Sequence, residues 1–175
     1  MIKIAKDILS FLPRTINHRK WLQTEAPRLN MFHDIHKGQD CFLIGNGPSL
    51  NKMELRVLNE YYTIGLNKIF LLFERTGLSV DYHVCVNRFV IEQCTRDFLA
   101  MACPSFISYK HRNGLLEGSS KVFFVGDVHS RWKFFEDITT GISQGSTVTY
   151  AAMQIAFYMG FERVFLIGVD HNFAQ

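Results

Sequence analysis

Short apolar runs alternate with longer amphipathic segments along most of this chain, and this alternation constrains the fold more than any other feature. Six runs have the length and composition of buried strands: "DCFLIGN", "YTIGLN", "VDYHVCVN", "SFISYK", "KVFFVGD" and "RVFLIGVD". The segments between them favour helices, among them "MELRVLNEY", "KIFLLFERTG", "RFVIEQCTRDFLAMA" and "GSTVTYAAMQIAFYMGF". Continuous apolar strands separated by helices are typical of parallel strands buried on both faces. We therefore predict an α/β, Rossmann-like fold with a mostly parallel sheet and helices on both faces, in three layers.

The chain divides by charge into a basic arm and a nearly neutral body. Residues 1–30 carry six basic side chains against two acidic ones, which accounts for all of the net charge of +3. We predict an N-terminal helical arm and linker over residues 1–37, and a Rossmann-like nucleotide-binding domain over residues 38–175 that is truncated at its C-terminal end. A body without a basic excess argues against nucleic acid as a partner. His33 and His36 lie in the polar linker and are expected to be solvated.

The first segment, "MIKIAKDILSFLP", has the apolar spacing of an amphipathic helix that ends at Pro13. One interpretation is a membrane-surface contact through residues 1–13, and the other is a helix that docks on the body or on a partner chain, as in a homo-oligomer. The four cysteines form no C-x-x-C pair, which favours a reducing, cytoplasmic location. The membrane interpretation would place the protein peripherally, on the inner membrane face.

Polar residues follow most of the predicted strands at the point where the apolar run ends. Asn46, Asn67 and Asn87 end the first three runs, and Asp127 and Asp170 end the fifth and the last. In open α/β sheets, ligands bind outside the carboxyl ends of the strands. Each asparagine alone is a common turn residue, but carboxamides at three successive strand ends together predict a binding site.

The turn Gly45-Asn46-Gly47-Pro48-Ser49 matches only part of the dinucleotide fingerprint, because Leu50 stands where a third glycine belongs. No Gly-Lys-Ser/Thr follows, so a Walker A loop is disfavoured as well. The remaining features are general ones. A glycine lets backbone approach a ligand, a proline fits the first helical position, and free N–H groups at a helix start can receive an anion. Asn51 and Glu54 resemble a capping box for the helix that follows.

A second polar turn precedes the longest predicted helix. Gly141 and Gly145 flank it, and Ser146 or Thr147 stands where the helix is expected to begin. This arrangement suits a phosphate or a carboxylate, or ordinary N-capping. His129 and His171 follow the two strand-end aspartates, but neighbouring residues of a strand point to opposite faces, so we predict no metal site there.

The stretches "FLIGNGPSL", "IGLN", "VCVN" and "GSTVTYAAMQIAFYMGFERVFLIGVD" resemble the MptE-like domains, whose namesake is the archaeal 6-hydroxymethyl-7,8-dihydropterin pyrophosphokinase. The same pattern is similar to bacterial sialyltransferases that use CMP-sialic acid. The resemblance spans Cys41 to Asp170 and implies a nucleotide held by the first turn, the asparagines and the second helix start. By matching motif, the implied nucleotide-binding residues are Gly45, Asn46, Gly47, Pro48, Ser49, Asn67, Asn87, Gly145, Ser146 and Thr147.

In those sialyltransferases, transfer needs no metal, tyrosine hydroxyls stabilise the leaving phosphate, and a histidine activates the acceptor. These groups follow the Gly-x-Asp strand, so Asp170 and His171 are the catalytic candidates here. The leading expectation is a nucleotide-sugar-dependent glycosyltransferase of surface polysaccharide or glycan assembly, with a CMP-sugar-like donor, a glycan acceptor and no cofactor. One alternative is a pterin pyrophosphokinase that uses ATP and Mg²⁺, with Asp127 and Asp170 as the available carboxylates. Another is a nucleotide-binding module without chemistry.

Overall fold

The computed structural model describes residues 17–128 and 133–170, which are built around a six-stranded, all-parallel sheet. The strand order is β5-β4-β3-β2-β1-β6. The strands are β1 (Asp40–Ile44), β2 (Tyr62–Leu66), β3 (Tyr82–Cys85), β4 (Ser105–Ser108), β5 (Val122–Val125) and β6 (Arg163–Ile167). All six lie in the apolar runs that the sequence marks, so the predicted Rossmann-like α/β fold is confirmed.

The helices vary in length and type. The α-helices are α1 (17–24), α2 (Phe73–Thr76), α3 (Arg88–Ala100), α4 (Gly114–Glu117) and α5 (Val148–Tyr158). The 3₁₀ helices are Ala26–Phe32, Pro48–Lys52, Leu55–Glu60, Ile69–Leu72, Tyr109–His111 and Ile138–Thr140. Gly77 ends α2 in the left-handed conformation, as its position predicts.

The two helices predicted between β1 and β3 are present, but they are mostly of the 3₁₀ type. In the segment after Met53, the buried residues Leu55 and Leu58 are three positions apart, which is the period of a 3₁₀ helix. The expected capping box also does not form. Glu54 itself caps this helix, and its side chain accepts a hydrogen bond from the backbone N–H of Arg56 at 3.4 Å.

Helices cover both faces of the sheet because the chain reverses direction once. It runs outward from β1 to β5 and then returns through α5 to place β6 beside β1. Right-handed crossovers put connections that run in opposite directions on opposite faces. Accordingly α5 packs against β1, β2 and β3, while the Phe98 ring of α3 contacts His83 on the other face, with ring centroids 4.6 Å apart.

Residues 17–37 pack on the same face as α5. The Trp21 side chain is fully buried and donates from Nε1 to the carbonyl of Phe124 at 2.9 Å. The Phe32 ring meets Phe106 and Phe123 edge-on, at 4.9 and 4.7 Å. His36 is buried rather than solvated, because its two ring nitrogens bond the Gln39 side chain and the Tyr82 hydroxyl at 2.8 and 2.7 Å.

The four cysteines, Cys41, Cys85, Cys94 and Cys103, are free and buried. Burial raises the pKa of the Cys41 and Cys85 thiols to about 12, so both act as small apolar side chains. Within the described ranges, no helix is long and apolar enough to cross a membrane. The predictions for residues 1–13, His129 and His171 fall outside the described residues.

Candidate functional site

The turn that follows β1 is joined to the loop that follows β6. The backbone N–H of Gly45 donates to the carbonyl of Ile167, and that of Gly47 donates to the carbonyl of Gly168, both at 2.8 Å. Because β1 and β6 are the two strands at which the order of the sheet reverses, this turn lies at the topological switch point. That position is where ligands bind in folds of this class.

Close backbone packing accounts for both glycines of the turn. A Cβ atom on Gly45 would lie 2.2 Å from the carbonyl oxygen of Gly168. A Cβ atom on Gly47 would lie 2.5 Å from a carboxylate oxygen of Asp170. Both distances are far below normal contact, so the two loops approach one another only because these positions lack side chains.

Asp170 bonds the start of the Pro48–Lys52 helix. Its carboxylate accepts hydrogen bonds from the backbone N–H of Ser49 at 2.6 Å and from the Ser49 hydroxyl at 2.5 Å. These two bonds, the hydroxyl first, hold the pKa of Asp170 below its usual range. Both donors of Ser49 are thus directed at an anion of the chain itself, while Asn46 and Pro48 on the same turn are exposed.

The three predicted asparagines lie at the carboxyl ends of adjacent strands, β1, β2 and β3. Neighbouring strands are about 4.8 Å apart, so the span from the first to the third is roughly 10 Å, about the length of a nucleoside. Asn46 is exposed, and its side chain makes no hydrogen bond within the described residues. Asn87 caps α3, where its side-chain oxygen accepts from the backbone N–H groups of Phe89 and Val90 at 2.9 and 3.3 Å.

Asn67 differs from the other two asparagines. Its backbone is left-handed, with φ of 50°, and its side-chain oxygen is buried without a hydrogen-bond partner among the described residues. A buried acceptor without a donor is unfavourable by about 1–3 kcal/mol, so such an atom marks a place where a ligand or water can donate. Asn67 is therefore the candidate residue with the clearest unmet hydrogen-bonding capacity.

The second predicted turn does form the start of α5. Thr147 is the N-cap, and its hydroxyl accepts from the backbone N–H of Tyr150 at 3.1 Å, as predicted. Gly145 and Ser146 are both left-handed, with φ of 51° and 70°. Such a conformation is strained for a serine and is found more often at functional sites than elsewhere.

Gln154 holds this turn, although nothing in the sequence marked it. Its side chain is fully buried. The side-chain oxygen accepts from the N–H groups of Phe135 and Ser143, and the side-chain nitrogen donates to the carbonyls of Ser143 and Tyr150, at 2.7–3.1 Å. All four hydrogen-bonding positions of one carboxamide are thus used to fix the backbone before α5.

The two strand-end aspartates belong to separate networks. Asp127 accepts hydrogen bonds from the hydroxyl of Ser108 and from the Gln144 side chain. It follows β5, whereas Asp170 follows β6, and these are the two outer strands of the sheet. Five strand spacings separate them by roughly 24 Å, so Asp127 and Asp170 cannot share one metal ion. No group of three or more potential metal ligands occurs among the described residues either.

Basic side chains follow the carboxyl ends of β2, β3 and β4. They are Lys68, Arg88 and Lys110, each one or two residues beyond the strand-end polar residue. Lys68 bonds the neutral side chain of Gln93 at 2.9 Å, and Arg88 pairs with Glu92 at 2.7 Å on an exposed helix face. Sequence reasoning missed this group, although its regular position after each strand was readable. It places positive charge at this end of the sheet.

A surface pocket of about 440 Å³ lies at the opposite, amino end of the sheet, with Asp40, Glu60 and Asp81 in its lining. Asp81 already accepts hydrogen bonds from the N–H and hydroxyl of Thr63, and Asp40 is paired with Arg163. An acidic pocket at the amino end is remote from the switch point, so it is not the candidate nucleotide site.

The order of the parallel strands, the helices on both faces and the polar residues at the switch point together define a Rossmann-like α/β protein. The chain belongs to the family described as "6-hydroxymethylpterin diphosphokinase MptE-like", whose sequence profile matches residues 15–175. No curated protein matches it. Among solved structures it is similar to the MAf glycosyltransferase from Magnetospirillum magneticum AMB-1, with a TM-score of 0.58 and 16% identity. The similarity covers 90% of this chain and 29% of that one, so this chain spans under a third of that protein's length. Family membership supports a transferase-like function.

Proposed function

We propose that this chain binds a nucleotide-sugar donor, of the CMP-sugar type, at the carboxyl ends of β1–β3 and that it belongs to a glycosyltransferase of glycan or surface polysaccharide assembly. Transfer breaks the bond between the anomeric carbon and a phosphate oxygen, forms a bond from that carbon to an acceptor hydroxyl, and releases a proton from that hydroxyl. The nucleotide leaves with the additional negative charge. The protein's part in this step is to bind the nucleotide and stabilise that charge.

The observation that carries the proposal is the series of carboxamides on three adjacent strand ends, each near a basic or helix-terminal group. Asn46 is exposed, Asn67 has an unpartnered oxygen, and the amide nitrogen of Asn87 makes no hydrogen bond within the described residues. Carboxamides can bond both donors and acceptors of a base or a ribose. Lys68 and Arg88, one residue further on, supply charge for a phosphate.

The second candidate is a pyrophosphokinase, which the family description favours. That reaction passes phosphoryl groups between ATP and a pterin and uses Mg²⁺ held by carboxylates. The distance between Asp127 and Asp170 does not fit the pair of magnesium ligands that the sequence offered. The glycosyltransferase is therefore the better supported of the two.

Nucleotide binding measured by calorimetry and thermal shift tests the proposal. CMP or a CMP-sugar should raise the melting temperature equally in EDTA and in Mg²⁺. Stabilisation by ATP that appears only with Mg²⁺ would instead favour the kinase. If no nucleotide binds under either condition, the proposed function is wrong.

Asn46→Ala is the sharpest variant, because the side chain it removes bonds nothing among the described residues. We expect its melting temperature to equal that of the wild type and its nucleotide affinity to fall by about 1–3 kcal/mol, the cost of a lost hydrogen bond. Gln23→Ala is the matched control, since Gln23 is an exposed carboxamide on α1 without a hydrogen bond in the described part of the chain. Equal affinities of the two variants would remove Asn46 from the site.

A further inference from the structure

His83 lies at the centre of the sheet, directly behind Asn67. Its side chain is fully buried on β3. Its Nε2 atom lies 2.8 Å from the carbonyl oxygen of Asn67, and its Nδ1 atom lies 3.1 Å from the hydroxyl of Ser105 on β4. No other described histidine bonds a residue of the candidate site.

These contacts define the protonation of the ring. A carbonyl oxygen can only accept, so Nε2 must carry the proton that it donates to Asn67. Burial lowers the pKa of His83 to about 4, so the ring is neutral near pH 7. Nδ1 then accepts from the Ser105 hydroxyl. The ring is thereby fixed in one orientation and one tautomer.

The backbone of Asn67 is held by β3 on both sides of the residue. Its N–H donates to the carbonyl of Val84 at 3.0 Å, and its carbonyl accepts from His83. Between these two bonds the residue has φ of 50°, a conformation that asparagine tolerates but that still requires support from its surroundings. The side-chain oxygen of Asn67, by contrast, is buried and has no donor among the described residues.

We propose that His83 is a positioning residue, which holds Asn67 in its left-handed conformation so that the Asn67 side-chain oxygen accepts a hydrogen bond from an amino or hydroxyl group of the nucleotide. The unmet group is an acceptor, so it matches a base amine or a ribose hydroxyl and not a phosphate oxygen. This inference rests on the proposed function for its ligand, but the link between His83 and Asn67 does not.

Two substitutions distinguish the hydrogen bond made by Nε2 of His83 from the one made by Nδ1. In His83→Gln the amide nitrogen can take the position of Nε2 and still donate to Asn67, whereas in His83→Asn the shorter side chain reaches only toward Ser105. We expect His83→Gln to bind CMP within about threefold of the wild type, and His83→Asn to bind at least tenfold more weakly. The same pair at His36, which is buried at the amino end of the sheet, should lower stability and leave CMP affinity unchanged.

A double-mutant cycle tests whether His83 acts through Asn67. In an Asn67→Gly background the side-chain acceptor is absent and the left-handed backbone needs no support. His83→Asn should then produce no further loss of CMP affinity. If Asn67→Gly and His83→Asn each weaken CMP binding independently, so that the fold losses multiply in the double variant, the inference is wrong.

A measurement made without ligand distinguishes a failure of the link between His83 and Asn67 from a failure of the proposed nucleotide binding. The Cα and Cβ chemical shifts of Asn67 report its backbone conformation and should stay left-handed in His83→Gln but change in His83→Asn. Unchanged shifts in His83→Asn would show that His83 does not hold Asn67. Shifts that change while CMP affinity stays constant would overturn its role in binding. If the wild type binds no nucleotide, the proposed function fails, and the chemical shifts alone decide the link between the two residues.

Discussion

Asp170 accepts two hydrogen bonds from Ser49, one from its backbone N–H at 2.6 Å and one from its hydroxyl at 2.5 Å. The two residues are 121 positions apart in the chain and join the loops that follow β1 and β6. The anion that the turn after β1 was predicted to take from a ligand is therefore supplied by the protein. This contact stabilises the switch point, and it leaves Asn46, rather than Ser49, as the exposed polar group of the turn.

Replacing Asp170 with asparagine should destabilise the protein in a pH-dependent way. The bonds from Ser49 depress the pKa of the folded carboxyl, so their contribution is present above the unfolded pKa of 3.8 and is lost as the pH falls through the lower folded value. Urea unfolding of wild type and Asp170→Asn should give midpoints that differ at pH 7 and that converge as the pH falls below 3.8. A difference that does not depend on pH would contradict the charged role of Asp170.

Gly45→Ala tests the close approach of the two loops. Its Cβ would lie 2.2 Å from the Gly168 carbonyl oxygen, so the backbone must move and unfolding should become easier by about 1–3 kcal/mol. Gly114→Ala is the matched control, because no atom lies within 4 Å of its added Cβ at the start of α4. Thermal unfolding should lower the midpoint of Gly45→Ala and leave that of Gly114→Ala unchanged or slightly raised. Equal midpoints would show that the loops can separate at little cost.

The sheet could be predicted from the sequence because parallel strands buried on both faces are apolar throughout. The runs "CFLI" and "VFFV", each bounded by polar turns, have the length and the continuous apolar composition of such strands. The type of the short connections could not be predicted. A segment with two apolar residues three apart, such as Leu55 and Leu58, fits either an α- or a 3₁₀ helix, and packing on the sheet decides between them.

The sequence could predict that the candidate site lies at the carboxyl end of the sheet. It could not predict which side chains there bond one another. Asparagines at strand ends mark the carboxyl end of the sheet, since strand direction alone brings those ends together. A polar residue inside an apolar run does not reveal its partners. His83 bonds residues 16 and 22 positions away, and Gln154 bonds one 19 positions away. The roles predicted for Asn46, Asn67, Asn87 and the start of α5 stay predictions.

His83 should make the protein's stability depend on pH in mildly acidic solution. Burial lowers the pKa of this ring from 6.5 to about 4, so the unfolded chain binds a proton between these values that the folded protein does not. Stability should therefore fall as the pH decreases from about 6.5 to 4, by up to about 3 kcal/mol from this residue. Denaturant unfolding of wild type and His83→Gln at several pH values measures the difference. Parallel pH profiles would mean that His83 has the same pKa in the folded and unfolded states, and the prediction would be wrong.

Gln154→Met should destabilise the turn that begins α5. Methionine fills nearly the same volume but cannot bond the N–H groups of Phe135 and Ser143 or the carbonyls of Ser143 and Tyr150. Removing the partner of several buried backbone groups should cost at least about 2 kcal/mol of unfolding free energy. Gln23→Met is the control, because that side chain is exposed on α1 and makes no hydrogen bond in the described part of the chain, so its loss should cost less than about 0.5 kcal/mol.

The same variant separates the contribution of this turn to stability from its contribution to binding. Gly145 and Ser146, which are left-handed, and Thr147 come two to four residues after Ser143, whose backbone N–H and carbonyl both bond Gln154. If the start of α5 contacts the nucleotide, Gln154→Met should weaken CMP binding at a temperature where calorimetry shows the protein to be folded. Hydrogen exchange should then show faster opening of residues 143–147, with β1–β3 protected as in the wild type. Wild-type affinity together with faster exchange would restrict the site to the strand ends and exclude the start of α5.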